Sequence, residues 1–204
     1  MATKINIINS ALTKLGSERL MSETDNNAAS RAVEAVYDGV LLALLRDYRW
    51  SFAIKRAKLA AMSDAPEFGY LFQYELPSDC LRVDMVNNQI YGDWQNHGSH
   101  HHEYQPQTPG YQIEGRKILT DIEAPLLLRY GSNVDDPSLY DSSFADTMAC
   151  ALAAELAESI TQATTKKQSA QQDLEIALRR ARQTSAIERP RIIQQDTSWY
   201  TARL

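Results

Sequence analysis

The chain has 204 residues, of which 44% are hydrophobic and 23% charged, with a formal net charge of -5. This is ordinary globular usage, and the acidic balance argues against a protein that grips nucleic acid by neutralising phosphates, which needs a basic face. No apolar run approaches the ~20 residues that span a bilayer, and the two cysteines, Cys80 and Cys150, are far apart and unclustered, so neither a disulfide framework nor a zinc site is indicated and a reducing cytoplasm is expected.

Ile5, Ile8, Leu12 and Leu15 form a first apolar stripe with Thr3 placed as N-cap and Gly16 just past the end, which predicts a helix over 4–15. The opening MATKINIINSALTKLG lacks a continuous apolar core and a small-residue cleavage site, so it reads as an amphipathic helix and not as a signal peptide. After a polar loop comes the stretch around which the chain looks organised. Val33, Val36, Tyr37, Val40, Leu41, Leu44, Leu45 and Tyr48 recur every three or four places, which predicts a buried central helix over 25–49. Asp25 or Thr24 is the expected cap. The helix runs into an aromatic joint, Tyr48, Trp50 and Phe52, where the period changes towards alternation, and this predicts one core shared by helices and a sheet.

A β-rich insertion is expected over 52–130. Phe72, Tyr74 and Leu76 alternate up to Pro77, and Leu81, Val83 and Met85 alternate after the Ser78-Asp79 turn signal. Tyr111 and Ile113 lead into Glu114-Gly115-Arg116-Lys117, a hairpin turn followed by Ile118 and Thr120, and Leu126, Leu128 and Tyr130 close the region. Between them, 92–110 is polar, aromatic and turn-rich, a long loop of the length that is usually functional or disordered.

Helical periodicity returns with Phe144, Met148, Leu152, Leu156 and Ile160, predicting a helix over 142–161 capped by Ser142 or Ser143; Ser143 and Asp146 have the spacing of a capping box. Its alanines allow a neighbour to approach closely. Ala170, Leu174, Ala177, Leu178 and Ala181 predict a last helix over 165–187, with Arg179, Arg180 and Arg182 where cations suit the helix dipole. Residues 190–204 carry no period, yet they hold Ile192, Ile193, Trp199, Tyr200 and Leu204, an apolar load unlike that of a solvated tail. The expected class is therefore α+β: a helical bundle of about four helices with an inserted antiparallel β region, one domain over 1–189, and an extended C-terminal arm over 190–204.

Sites for chemistry are few. His97, His100, His101 and His102 with Glu103 are good ligand types, but adjacent histidines on a loop preset no coordination geometry and no second cluster completes a shell, so no metal is expected. There is no Gly-x-Ser-x-Gly, no phosphate loop and no dinucleotide fingerprint. Cys150, on an alanine-rich helix, reads as a buried small residue. No enzymatic activity and no cofactor are expected. The arginines at 179, 180, 182, 189 and 191 suit either a solvated helix end or a nucleic acid or acidic protein surface.

The order of these segments carries a resemblance. A helix ending in Leu15-Gly16 is followed by a long helix closing on Leu44-Leu45-x-x-Tyr48-x-Trp50-x-Phe52-Ala53. Then come Arg56-Ala57-x-Leu59-Ala60, Tyr74-x-Leu76-Pro77-x-Asp79-Cys80-x-Arg82, a hairpin, Tyr130 and the Phe144…Leu152-Ala153-x-x-Leu156-Ala157 helix. Over most of its length the chain resembles the tail tubular protein A family, the head-to-tail adaptors of short-tailed phages and related prophages. The His-rich loop and the arginine-rich helix end fall outside the match. The resemblance implies a virion protein, assembled in the bacterial cytoplasm and residing in the tail neck. It would form a ring, usually dodecameric, beneath the portal protein, extend the channel through which double-stranded DNA passes without specific binding, and receive the tail nozzle protein, with no membrane partner. By position and composition, though not by a residue motif, Arg191, Ile192, Ile193, Trp199, Tyr200 and Leu204 would dock the portal. Trp94, His97, His100 and Tyr104 would face the nozzle. The alternative is a small DNA-binding packaging or regulatory factor that uses the C-terminal arginine cluster.

Overall fold

The computed structural model describes residues 2–25, 27–87, 89–90 and 110–188. Over these the chain is α+β, with four helices and two small antiparallel sheets. Helix α1 (Lys4–Leu15) is closed as its sequence predicts. Thr3 accepts the Asn6 N–H at 3.3 Å, and Gly16, at φ 76°, lets the Ser17 N–H reach back to the Leu12 carbonyl at 2.9 Å.

Helix α2 spans Ala28–Asp47, shorter at both ends than 25–49. Its cap is Asn27, whose Oδ1 accepts the Ser30 N–H at 2.7 Å. The two expected caps are committed elsewhere. The Asp25 carboxylate accepts from the N–H groups of Met21 and Ser22, and the Thr24 hydroxyl pairs with that of Ser22. Nor is α2 the central helix. One stripe of it is buried, whereas α3 (Ser142–Thr161) packs against α1, α2 and α4 (Thr164–Ile187). Phe144, Met148, Leu152 and Leu156 of α3 are at most 1% exposed. The alanines explain the position, because Ala149, Ala153 and Ala157 let neighbouring helices come close without a void. The N-cap of α3 is Asp141; Ser143 lies inside the helix, and its hydroxyl donates to Asp141 at 2.5 Å. Gln162, at φ 51°, turns α3 into α4.

Residues between α2 and α3 form the β region. Strands β1 (Ile54–Leu59), β2 (Phe72–Glu75), β3 (Cys80–Val86), β4 (Gln89–Ile90), β5 (Tyr111–Glu114), β6 (Lys117–Thr120) and β7 (Leu126–Ser132) make one sheet in the order β1-β7-β3-β4 and another in the order β2-β6-β5. The predicted hairpin is present: Glu114 pairs with Lys117, and Gly115 takes φ 57° between them. The predicted alternation of Leu81, Val83 and Met85 is not kept. The register of β3 against β7 shifts between Val83 and Met85, so Val83 and Val86 reach the sandwich interior and Asp84 becomes fully buried.

The single shared core expected from the aromatic joint also gives way to two. One lies among the helices and contains Trp50, with Tyr48 and Phe52 packed against it. The other lies between the sheets, around Tyr74, Val86, Tyr111, Ile118, Leu126 and Leu128. A sheet with one face on its partner sheet has no apolar face left for the helices. The two halves instead meet largely through polar side chains at the joint, beside Leu81 of β3, which packs against the helical core.

Candidate functional site at the joint of helices and sandwich

The three joint residues all lie together. Tyr48 leaves α2 in extended conformation, and a 3-10 turn over Ser51–Ala53 passes the chain to β1. The rings of Tyr48 and Phe144 stand edge-on to Trp50 at centroid distances of 5.1 and 4.9 Å, and Phe52 stacks on Trp50 at 6.3 Å. The indole N–H donates to the Leu44 carbonyl at 2.7 Å, which satisfies one of the carbonyls left open at the end of α2.

The sandwich closes the rest of that helix end. Arg82 of β3 donates Nη1 to the carbonyls of Arg46 and Tyr48 at 2.7 and 2.8 Å, and Nε to Asp84 at 2.8 Å. Arg49 approaches the same Asp84 oxygen at 3.3 Å. Asp84 is 0% exposed, and its second oxygen, Oδ2, accepts no hydrogen bond from a described residue. Arg46 returns the contact by donating to the Leu81 carbonyl. A Cβ on Gly131 would stand 3.1 Å from the Arg82 guanidinium, so the glycine leaves room for that group to lie across β7.

Asp79, in the same loop-strand segment as Arg82, ties the sheet to itself. It accepts from Lys55 at 2.7 Å and from the Tyr130 hydroxyl at 3.0 Å. Burial opposes its charge, but these bonds outweigh burial and hold its pKa below the usual carboxylate value. Burial first, then the bond to Asp79 and the Asp79 charge, push Tyr130 up to about 12. Tyr37 is also pushed up to about 12, by burial and by Glu23 and Asp38.

The folded state therefore keeps these phenol protons where the unfolded chain loses them, near pH 10. Stability from them is complete below about pH 10 and declines as the pH rises towards 12, by on the order of 2 kcal/mol for a group moved this far. At the acid end, the Asp79 contribution is present above about pH 3.9 and is lost as the pH falls through its lower folded value. Denaturant midpoints measured from pH 8 to 12 should fall, and the Tyr130→Phe chain should fall less steeply. An equal slope would contradict the assignment.

The end of α4 docks on the same joint. The Arg182 guanidinium pairs with Asp47 and lies 5.6 Å from the centroid of the Tyr48 ring, whose hydroxyl donates to the Arg182 carbonyl at 3.0 Å. The Ser51 N–H meets the Ser185 hydroxyl at 3.4 Å, and the Ser51 hydroxyl donates to Glu188. Residues 47–51 thus hold α4 over its last two turns, at the place where the chain passes into 189–204. Arg179 and Arg180 stay exposed.

The other expected sites lie outside the described residues. These are Trp94, His97, His100 and Tyr104 in the loop, and Arg191, Ile192, Ile193, Trp199, Tyr200 and Leu204 in the arm. Both cysteines are described and free, and burial pushes both thiols up, so at neutral pH they are protonated. Among the described residues no three His, Cys, Asp or Glu side chains come together as a metal would require, and no helix is long and apolar enough to cross a membrane.

The Arg82–Asp84–Arg49 clasp was not anticipated. Its signal was nevertheless in the sequence: an aspartate inside the apolar run Val83-Asp84-Met85-Val86, two places after an arginine, where both side chains fall near one strand face. No family model matches the chain, and no curated protein matches it.

Proposed function

We propose that this chain is a structural head-to-tail adaptor of a tailed bacteriophage virion. It stands below the portal as a ring, extends the DNA channel and receives the nozzle, with neither catalysis nor a cofactor. The observation that carries this reading is the meeting of its two most specific segments. Tyr48-x-Trp50-x-Phe52-Ala53 and Leu76-Pro77-x-Asp79-Cys80-x-Arg82, some thirty residues apart in sequence, meet through Arg82, which donates to the Tyr48 carbonyl where the helical bundle joins the inserted sandwich. Helix α4, which precedes residues 190–204, ends beside that interface, held by Asp47, Tyr48 and Ser51. A segment that follows a held helix end and is rich in apolar residues suits docking into a partner's groove.

Removing residues 190–204 should abolish co-sedimentation with the portal protein and leave helical circular dichroism and the denaturant midpoint unchanged. A truncated chain that docks as well as the full one would refute the arm assignment. The DNA-binding alternative keeps the exposed Arg179 and Arg180, but Arg182 is already engaged by Asp47 and the Tyr48 ring, so the cluster offers a smaller cationic surface than its sequence suggests.

A further inference from the structure

Among the described residues, the outer face of the β1-β7-β3-β4 sheet is covered at one end only. There, Arg82 lies across Gly131 and the end of α2 seals the face. At the other end, Arg56 of β1 stands directly opposite Arg129 of β7, and Lys58 directly opposite Leu127. Their strand neighbours Ala57, Leu59, Leu126 and Leu128 turn inward to the sandwich core.

Arg56 and Lys58 are exposed, and Leu127 is 45% exposed. Arg129 is half-buried, and its Nε is enclosed without a hydrogen-bond partner among the described residues. Among the described residues none of the three cations forms an ion pair. Like charges directly opposed on neighbouring strands destabilise a sheet, so the isolated chain carries a cost here that an anionic partner would remove.

The outward face of α2 is the counterpart. Glu34, Asp38 and Leu42 are exposed along one row, beside a second exposed row of Ala35, Gly39 and Ala43. Glu34 and Asp38 form no ion pair among the described residues, although they stand one turn apart, where like charges repel. A Cβ on Gly39 would meet nothing within 4 Å, so another backbone has room to approach.

The spacings agree: four residues along a helix rise about 6 Å, and two along a strand about 6.7 Å. The Glu34–Asp38 pair can therefore lie along the Arg56–Lys58 pair. Leu127 within the cationic face fits a protein surface better than a phosphate backbone, which has no use for an apolar side chain.

We propose that copies of this chain associate head to tail, the Arg56, Lys58, Arg129 and Leu127 face of one copy seated on the Glu34, Asp38 and Leu42 face of α2 in the next. Two different faces on one chain make a heterologous contact, which closes into a ring when its rotation permits and otherwise extends as a filament. The proposal deepens the adaptor reading and rests on it only for closure into a ring.

The test uses full-length chains in sedimentation velocity over a concentration series at low salt. Wild type should self-associate. Arg56→Glu with Lys58→Glu in one chain, and Glu34→Lys with Asp38→Lys in another, should each weaken association roughly tenfold or more. An equimolar mixture of the two reversed chains should associate again, a recovery that misfolding of either variant would not produce. Wild type that stays monomeric at its highest soluble concentration, reversed chains that associate like wild type, or a mixture that stays apart would each overturn the proposal. Duplex DNA retained by wild type and by the Glu34→Lys, Asp38→Lys chain but not by the Arg56→Glu, Lys58→Glu chain would assign the face to DNA and overturn it as well. Portal binding is read separately on the same chains. Association restored in the mixture, with no portal binding by any chain, would leave this inference standing and remove the adaptor reading.

Discussion

Trp50→Ala is expected to lower the stability of the helical half by about 3–5 kcal/mol, the usual cost of deleting a large buried aromatic. Trp50 is 2% exposed and packs against the rings of Tyr48, Phe52 and Phe144, so truncation leaves a cavity lined by aromatics that cannot collapse far. It also frees the Leu44 carbonyl, which now accepts the indole N–H at 2.7 Å, inside the core. Both losses fall where α2 must end and the chain must turn to β1. Urea unfolding followed by far-ultraviolet circular dichroism should show a midpoint well below wild type. Trp50→Phe keeps most of the ring and loses the bond, and should cost about 1–3 kcal/mol, mainly the unsatisfied carbonyl. A Trp50→Ala chain within 1 kcal/mol of wild type, a difference that a surface substitution could produce, would mean that the joint is not the keystone of the helical core.

Arg82→Met is expected to cost a similar amount, about 3–5 kcal/mol, by a different route. Asp84 has no exposure and, among the described residues, two cations paired with it, Arg82 at 2.8 Å and Arg49 at 3.3 Å, so removing Arg82 leaves a buried carboxylate with one more distant partner. The carbonyls of Arg46 and Tyr48 lose their donor in the same step. Adding Asp84→Leu to Arg82→Met should recover much of the loss, because an apolar pair in place of a buried ion pair is often close to neutral. A double-mutant cycle by denaturant titration measures this directly. Additive costs, with no recovery in the double variant, would show that Asp84 is stabilised by something other than Arg82.

Reading the sequence went furthest where causes are local. Thr3 and Gly16 bracket α1 because a cap needs only a side-chain oxygen three residues from an N–H and a residue tolerant of positive φ. The hairpin at Gly115 follows from the same kind of rule. The end of α2 at an aromatic joint, and the alanine face of α3, were also legible from period alone. The first turn of α2 was not. Asn27, Asp25 and Thr24 are all competent caps, and the choice fell to Asn27 because the preceding loop had already engaged the other two.

In the site, Tyr48, Trp50 and Phe52 were found from their spacing, while the charged clasp around Asp84 was not. The Arg82-x-Asp84 spacing marks one pair within a strand, but nothing local links Asp84 to Arg49, which comes from a separate element.

By itself the sequence determined the helices, the hairpin, the α+β class and the aromatic joint, since each follows from neighbours a few residues apart. Long-range packing settles that β1 pairs with β7 across some seventy residues, that a register shift in β3 buries Asp84, and that two cores form where one was expected. The physical reason is common to all three. A strand's buried face is chosen by its partners and by the pleat they share, and a two-fold alternation displaced by one residue exchanges every inward side chain for an outward one.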